Sequence, residues 1–224
     1  MFIGHFGLSF AAKRAAPRAG LAALFTAAAF ADVLWPLFLT LGIEQVRIDP
    51  GNTRVTPLDF VSYPYSHSLL TLVIWGLVVA LAYRAITRMN GRVAIVLAAL
   101  VVSHWVLDWI THRPDMPLYP GGPVYGLGLW NSFAATVAVE VPLFAIGVWI
   151  YARSTRPADQ VGKWAFAGLI ALLVISYVAN FLAGPPSSLT GLIAGALAGT
   201  IILLVLAYWV DRHRAALPAH RANW

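Results

Sequence analysis

Along this 224-residue chain, apolar stretches of about twenty residues alternate with short polar turns. Six runs stand out: 21–41, 68–86, 93–110, 127–150, 164–182 and 189–209. Each is close to the ~20 residues that an α-helix needs to cross a bilayer's hydrocarbon core. The pattern predicts an all-α integral membrane protein, a six-helix transmembrane bundle forming one domain over residues 1–224. Any site chemistry is expected within about 1–150, with the last two spans at about 162–211. No internal repeat or low-complexity tract interrupts the series. The first run lacks a small-residue cleavage site and reads as a retained span.

The positive charges sort the turns between the runs. Lys13, Arg14 and Arg18 precede the first run, and Arg84, Arg88 and Arg92 follow the second. Arg153, Arg156 and Lys163 follow the fourth, and Arg212, Arg214 and Arg221 close the chain. The other three connections hold only Arg47, Arg54 and Arg113. This alternation satisfies the positive-inside rule at each crossing. It predicts cytoplasmic termini, with loops 44–65, 112–126 and 184–188 facing outward. The net charge of +6 is therefore a topology signal, not a nucleic-acid footprint. His213 and His220 in the basic tail read as solvated.

Before the first full span, residues 2–12 are apolar but too short to cross. They predict a helix lying on the interface or a re-entrant half-helix buried among its neighbours. In the second case His5 rises about 12 Å above Lys13, at ~1.5 Å per residue.

Composition narrows the chemistry. Hydrophobic residues are 60% of the chain and charged residues 11%, against roughly 25% charged in soluble domains. With no cysteine, disulfides, thiolate metal sites and cysteine nucleophiles are excluded. Nitrogen and oxygen ligands remain, which suit zinc, manganese or iron.

Within the third run, Ser103-His104-Trp105-Val106-Leu107-Asp108-Trp109-Ile110-Thr111-His112 places His104, Asp108 and His112 at i, i+4 and i+8, on one helix face. Ionisable groups inside a span are costly and usually functional. Counting rises puts Asp32, His104 and Glu140 at a similar depth, with Asp108, His112 and His67 on a route outward. His104 and His112 begin ~12 Å apart along the axis, so Asp108 is expected to bridge two or more ions. The alternatives are a hydrogen-bonded helix contact, a cap or kink repair at His67 and Glu140, and a turn cap at Asp115. Asn131 and Ser132 read as a helix cap or an entrance lining, and the 44–65 loop as a lid.

Together, Gly4-His5-Phe6-Gly7-Leu8, the Asp32 span, Ser66-His67-Ser68-Leu69-Leu70, and Ser103 through Asp108 with His112-Arg113-Pro114-Asp115 resemble bacterial inner-membrane, membrane-bound metal-dependent hydrolases of the YdjM/YbcI type. The resemblance runs from about Gly4 to Glu140. A more distant similarity is to the zinc-dependent phospholipase C and nuclease superfamily. Carried over by order, it implies His5, Asp32, His67, His104, Asp108 and His112 as metal ligands and Glu140 as a late ligand. Two departures are Thr136, where that superfamily has a histidine, and the absence of an N-terminal tryptophan. The implied activity is hydrolysis of a phosphoester, such as a lipid head group, by metal-activated water. Asp115 or Asp32 would orient the water and Arg113 would pair with the phosphate. The rival functions are a proton or metal-ion transporter using the same His, Asp and Glu residues, and an assembly protein braced by metal.

Overall fold

The computed structural model describes residues 1–88 and 91–217; His220 and Arg221 lie outside them. The helices are α1 (Ile3–Ala15), α2 (Leu21–Ala28), α3 (Phe30–Thr40), α4 (Pro64–His67), α5 (Leu69–Thr87), α6 (Gly91–Thr111), α7 (Phe133–Ser154), α8 (Gln160–Leu182) and α9 (Leu189–Arg212). Among the described residues, α5 to α9 are each long and apolar enough to span a membrane. The pair α2 and α3, bent by 58°, brings the number to six if it is one broken span.

The starts of the long helices follow local rules. Ser68, Ser132, Asp159 and Ser188 each accept a backbone N–H from the first turn of α5, α7, α8 and α9, as expected of short polar side chains at N-caps. The fourth apolar run therefore does not become helical at residue 127. Gly128, at φ +73°, and a 3-10 turn over Leu129–Asn131 delay the start of α7 until after Ser132.

The first apolar run is not one straight helix. It breaks at Ala29 and not at Pro36, and the Ala28 carbonyl accepts a bond from His104 Nδ1 at 2.7 Å. A broken helix at this depth is tolerated where other groups satisfy the freed backbone.

Helix α1 is buried, with His5, Phe6, Ser9 and Phe10 all inside the bundle. It has no side-chain cap of its own. Glu140 of α7 supplies one, its Oε2 accepting from Phe2 N at 2.8 Å and Gly4 N at 3.3 Å. The carboxylate also complements the positive end of the helix. At the other end of α1, Lys13 bonds Asp211 Oδ1 and the Ala19 carbonyl. The α1–α7 crossing is set by Gly7 and Gly147. A Cβ on Gly147 would stand 1.9 Å from the Gly7 carbonyl oxygen, so only glycine lets the two backbones approach this closely.

Two apolar cores flank α1 and α2. One joins α2, α3, α5 and α6 around Leu24, Leu72, Leu97 and Val101. The other joins α1, α2, α7, α8 and α9 around Phe10, whose ring meets Phe25 at 5.1 Å and Tyr151 at 5.2 Å. At the basic end, short strands β5 (Thr155–Pro157) and β6 (Arg214–Ala216) pair antiparallel. His213 there is not simply solvated, since it bonds Asp159 Oδ2 at 2.7 Å. At the opposite end, β1 (Gln45–Ile48) and β2 (Leu58–Ser62) form an antiparallel hairpin with Arg47 opposite Asp59. A second small ladder, β3 (Met116–Pro117) with β4 (Val124–Tyr125), lies at the same end.

Candidate metal centre

Four elements converge between the two cores. Helix α6 brings His104, Asp108 and, just past its end, His112; α3 brings Asp32; the one-turn α4 brings His67; and α1 brings His5. Two groups of donor atoms have ligand geometry, His5 with His104 and Asp108, and Asp32 with His67 and His104; His112 falls in neither, its Nε2 standing 3.8 Å from Asp108 Oδ2. The depths counted along the sequence correspond to lateral proximity for Asp32 and His104.

The hydrogen bonds fix which ring nitrogen each histidine turns inward. His104 Nδ1–H donates to the Ala28 carbonyl. Ser66 Oγ donates to Glu44 Oε2 at 2.6 Å and therefore accepts from His67 Nδ1 at 2.7 Å. Glu44 is itself held by the backbone N–H groups of Tyr65 and Ser66. His112 Nδ1–H donates to Asp115 Oδ1 at 3.0 Å. In all three rings the proton sits on Nδ1 and the Nε2 lone pair faces inward, the arrangement that outer partners impose on metal-ligating histidines.

These lone pairs face carboxylate oxygens, which are also acceptors. Asp108 Oδ2 lies 3.1 Å from His104 Nε2, 3.8 Å from His112 Nε2 and 3.9 Å from His67 Nε2. Asp32 Oδ1 lies 3.7 Å from His67 Nε2 and 3.8 Å from His104 Nε2. His104 Nε2 is buried with no hydrogen-bond partner among the described residues. Acceptors turned on one another this closely require a cation or a proton between them. Donors around a tetrahedral ion with bonds of ~2.0–2.2 Å stand about 3.3–3.6 Å apart, and the observed spacings bracket that range. The residues present therefore fit a metal.

The other oxygen of Asp108 faces α1. Oδ1 lies 3.0 Å from His5 Nε2 and pairs with the α-amino group of Met1. The His5 ring stacks on His104 with centroids 3.9 Å apart and planes within 4°. Its Nδ1 is buried without a partner among the described residues.

Three residues singled out in the sequence take other positions. Glu140 belongs to neither donor group; its Oε2 caps α1. Asp115 accepts from Tyr63 Oη at 2.7 Å as well as from His112. Arg113 is committed to Asp59, Asp115 and the Asn52 side chain. Burial, reinforced by Asp115, raises the Tyr63 phenol well above its usual range, so it stays a donor to that carboxylate. Glu44, Ser66 and Tyr63 were not singled out by spacing. Their one signal is their place beside His67, with Glu44 at the head of the loop that carries it.

The model of the YdjM inner membrane protein family matches residues 2–185. The chain belongs to that family. It is a multi-pass inner-membrane protein, and the matched region contains every donor described above. The UPF0718 protein YraQ of Escherichia coli (strain K12) is 31% identical over 111 residues, covering 45% of this chain and 32% of that protein. The chain thus spans about a third of that relative's length. No solved structure matches.

Proposed function

We propose that this protein is a membrane-embedded, metal-dependent hydrolase that cleaves a phosphoester with water. In this reading both termini are cytoplasmic, following the distribution of Lys and Arg, and the site lies toward the outer side, beneath the β1–β2 hairpin. The observation that carries the proposal is the set of three histidines whose Nδ1 atoms are tied back while their Nε2 lone pairs converge on Asp108 and Asp32.

Imidazole and carboxylate donors suit zinc, with manganese or iron as alternatives. His67, His104 and His112 would hold the ions through Nε2. Asp108 turns one oxygen to the His67, His104 and His112 side and the other to His5, so it would serve as a ligand on either side. When bound, such ions lower the pKa of a coordinated water toward ~7 and stabilise charge on a departing oxygen. In the hydrolysis itself, the water oxygen bonds to phosphorus, the ester P–O bond breaks, and a water proton ends on the alcohol that leaves. Asp32 stands beside the donors with half its side chain exposed, placed to accept that proton in transit. Arg113 and Asp115 act as positioning residues, since Arg113 holds Asp115 and Asp115 holds the His112 tautomer.

Elemental mass spectrometry of detergent-purified protein, wild type beside Asp108→Ala, tests the reading. Two or more equivalents in the wild type, lost in the variant, are expected, with turnover in a subsequent phosphoester screen. No stoichiometric metal after supplementation overturns it.

One observation favours a second reading, conduction of protons or metal ions. The break at Ala29 beside the donors gives the interrupted helix that transporters use to build ion sites. Proton or zinc flux in sealed vesicles, absent in Asp108→Ala, separates it from hydrolysis.

A further inference from the structure

The donor ring is closed on most sides. His5, His67, His104, Asp108 and His112 each expose at most 4% of the side chain, whereas Asp32 exposes 49%. Toward the loops, the β1–β2 hairpin covers the ring. Phe60 packs on His112 with centroids 4.8 Å apart, and Trp130 on His112 at 4.2 Å. Arg113 fastens this cover through Asp59 and Asn52.

Asp32 instead lines a cavity of about 500 Å³ between α1, α3, α8 and α9, shared with Phe2, Trp35, Ser176, Asn180, Gly195 and Gly199. Leu172 and Ile202 continue it into a second, apolar cavity of about 700 Å³ between α8 and α9, reaching Trp164 and Trp209. Asp32, Ser176 and Asn180 make the first end polar, the lining turns apolar from Leu172 onward, and Gln160 stands at the far end beside Trp164. From Asn180 to Leu172 the wall is about 12 Å long at ~1.5 Å per residue, close to one leaflet's half of the ~30 Å hydrocarbon core.

We propose that the α8–α9 furrow is the entrance to the site and that its occupant is a membrane phospholipid, headgroup at the Asp32 end, where a metal held by the donor ring would meet the phosphate charge, and acyl chain along the furrow. The substrate class rests on the hydrolase reading; the entrance does not. The polarity gradient of the furrow is that of an amphiphile. On the loop side a smaller cavity of about 220 Å³, lined by Val55, Leu58, Phe60 and Trp130, meets the Asp32 cavity at Phe2, Ser176 and Asn180; its mostly apolar walls and smaller volume favour the furrow for a two-ended amphiphile. Asp32 is the donor that a headgroup arriving from the furrow reaches first.

A Cβ at Gly195 or Gly199 would meet no atom within 4 Å, so a large side chain there fills the furrow without a backbone clash. The test uses vesicles of phosphatidylethanolamine and phosphatidylglycerol containing phosphatidylglycerol with a photoactivatable diazirine in its acyl chain. Adducts are mapped by mass spectrometry on wild type, Gly199→Phe and Gly195→Phe, and bound metal is measured on each. The expected result is labelling at Leu172 and at Leu203, which also lines the Asp32 cavity, in the wild type, lost in both variants, with metal content and labelling of exposed Leu77 and Leu81 on α5 retained. Equal furrow labelling in the variants, or wild-type labelling confined to α5, overturns the entrance. If the furrow labels but metal-loaded protein cleaves no phosphoester, the hydrolase reading falls and the entrance stands. If a bis(nitrophenyl) phosphate is cleaved while the furrow never labels, the entrance falls and the hydrolase reading stands.

Discussion

On one wall of the donor ring, His67, His104 and His112 each give their Nδ1 proton to a fixed acceptor: Ser66 backed by Glu44, the Ala28 carbonyl, and Asp115. On the opposite wall, His5 has a bare Nδ1 and Asp32 is half exposed. The first wall is built so that its lone pairs have one orientation before anything binds. The second is carried by a half-helix and by a helix that begins at a break, and it borders the furrow. The difference separates residues that hold an ion from residues that meet what comes to it.

Substitutions at His104 and His5 break the comparison most directly. His104 belongs to both donor groups and His5 to one. His104→Ala is expected to lose all bound metal, and His5→Ala to keep at least one equivalent, measured by elemental mass spectrometry. Equal loss from both would mean that the two walls contribute alike. The next largest effect is expected at the α1–α7 crossing. Gly147→Leu forces backbone against backbone, and overpacking of this kind costs about 3 kcal/mol or more. A lowered thermal midpoint in detergent, with metal loss resembling His5→Ala in the protein that remains folded, is expected. An unchanged midpoint would show that α1 is not held by this contact.

A smaller effect probes the first wall alone. Ser66→Ala leaves His67 in place but removes the acceptor of its Nδ1 proton. Outer-partner losses of this type weaken metal binding about 10–100-fold. Competition against a chelator should show that loss for Ser66→Ala and a lesser one for Glu44→Gln. Affinity equal to wild type in both would leave the His67 tautomer without a role in binding.

Much of this arrangement is legible along the chain. The i, i+4, i+8 spacing of His104, Asp108 and His112 survives folding because a helix conserves it, and the helical rise puts Asp32 beside His104. Less legible is whatever depends on irregular backbone. The break at Ala29 has no proline or glycine to announce it, and Pro36, which invites a kink, sits inside a continuous α3. Glu140 has the right depth for a ligand, yet its carboxylate caps α1, because a buried half-helix must find an acceptor for its first N–H groups. Depth alone cannot separate these two uses of a buried carboxylate. Arg113 looks available in sequence, but the hairpin brings Asp59 to it from 54 residues away, and that pairing is tertiary.

The hairpin supplies the smallest and most pH-sensitive contrast. Asp59 is buried between two arginines: Arg47, 74% exposed, and Arg113, 37% exposed. The bond from Arg47, with Arg113 adding to it, holds the Asp59 carboxyl below the usual carboxylate range. A carboxyl whose folded pKa lies below its unfolded value of ~3.9 stabilises the fold above that value and loses the contribution as pH falls through the folded pKa. Release of the hairpin from His112 is therefore expected only below about pH 4, as increased protease cleavage within residues 49–57, with no change between pH 6 and 8. Arg47→Ala removes only the solvated partner, and exposed ion pairs of this kind contribute ~0–1 kcal/mol. It should leave neutral-pH cleavage nearly unchanged, whereas Arg113→Ala, which also frees Asp115 and Asn52, should raise it. Equal effects from the two arginines would mean that the cover is held by its apolar contacts, Phe60 and Trp130, and that Arg113 has no special part in positioning His112.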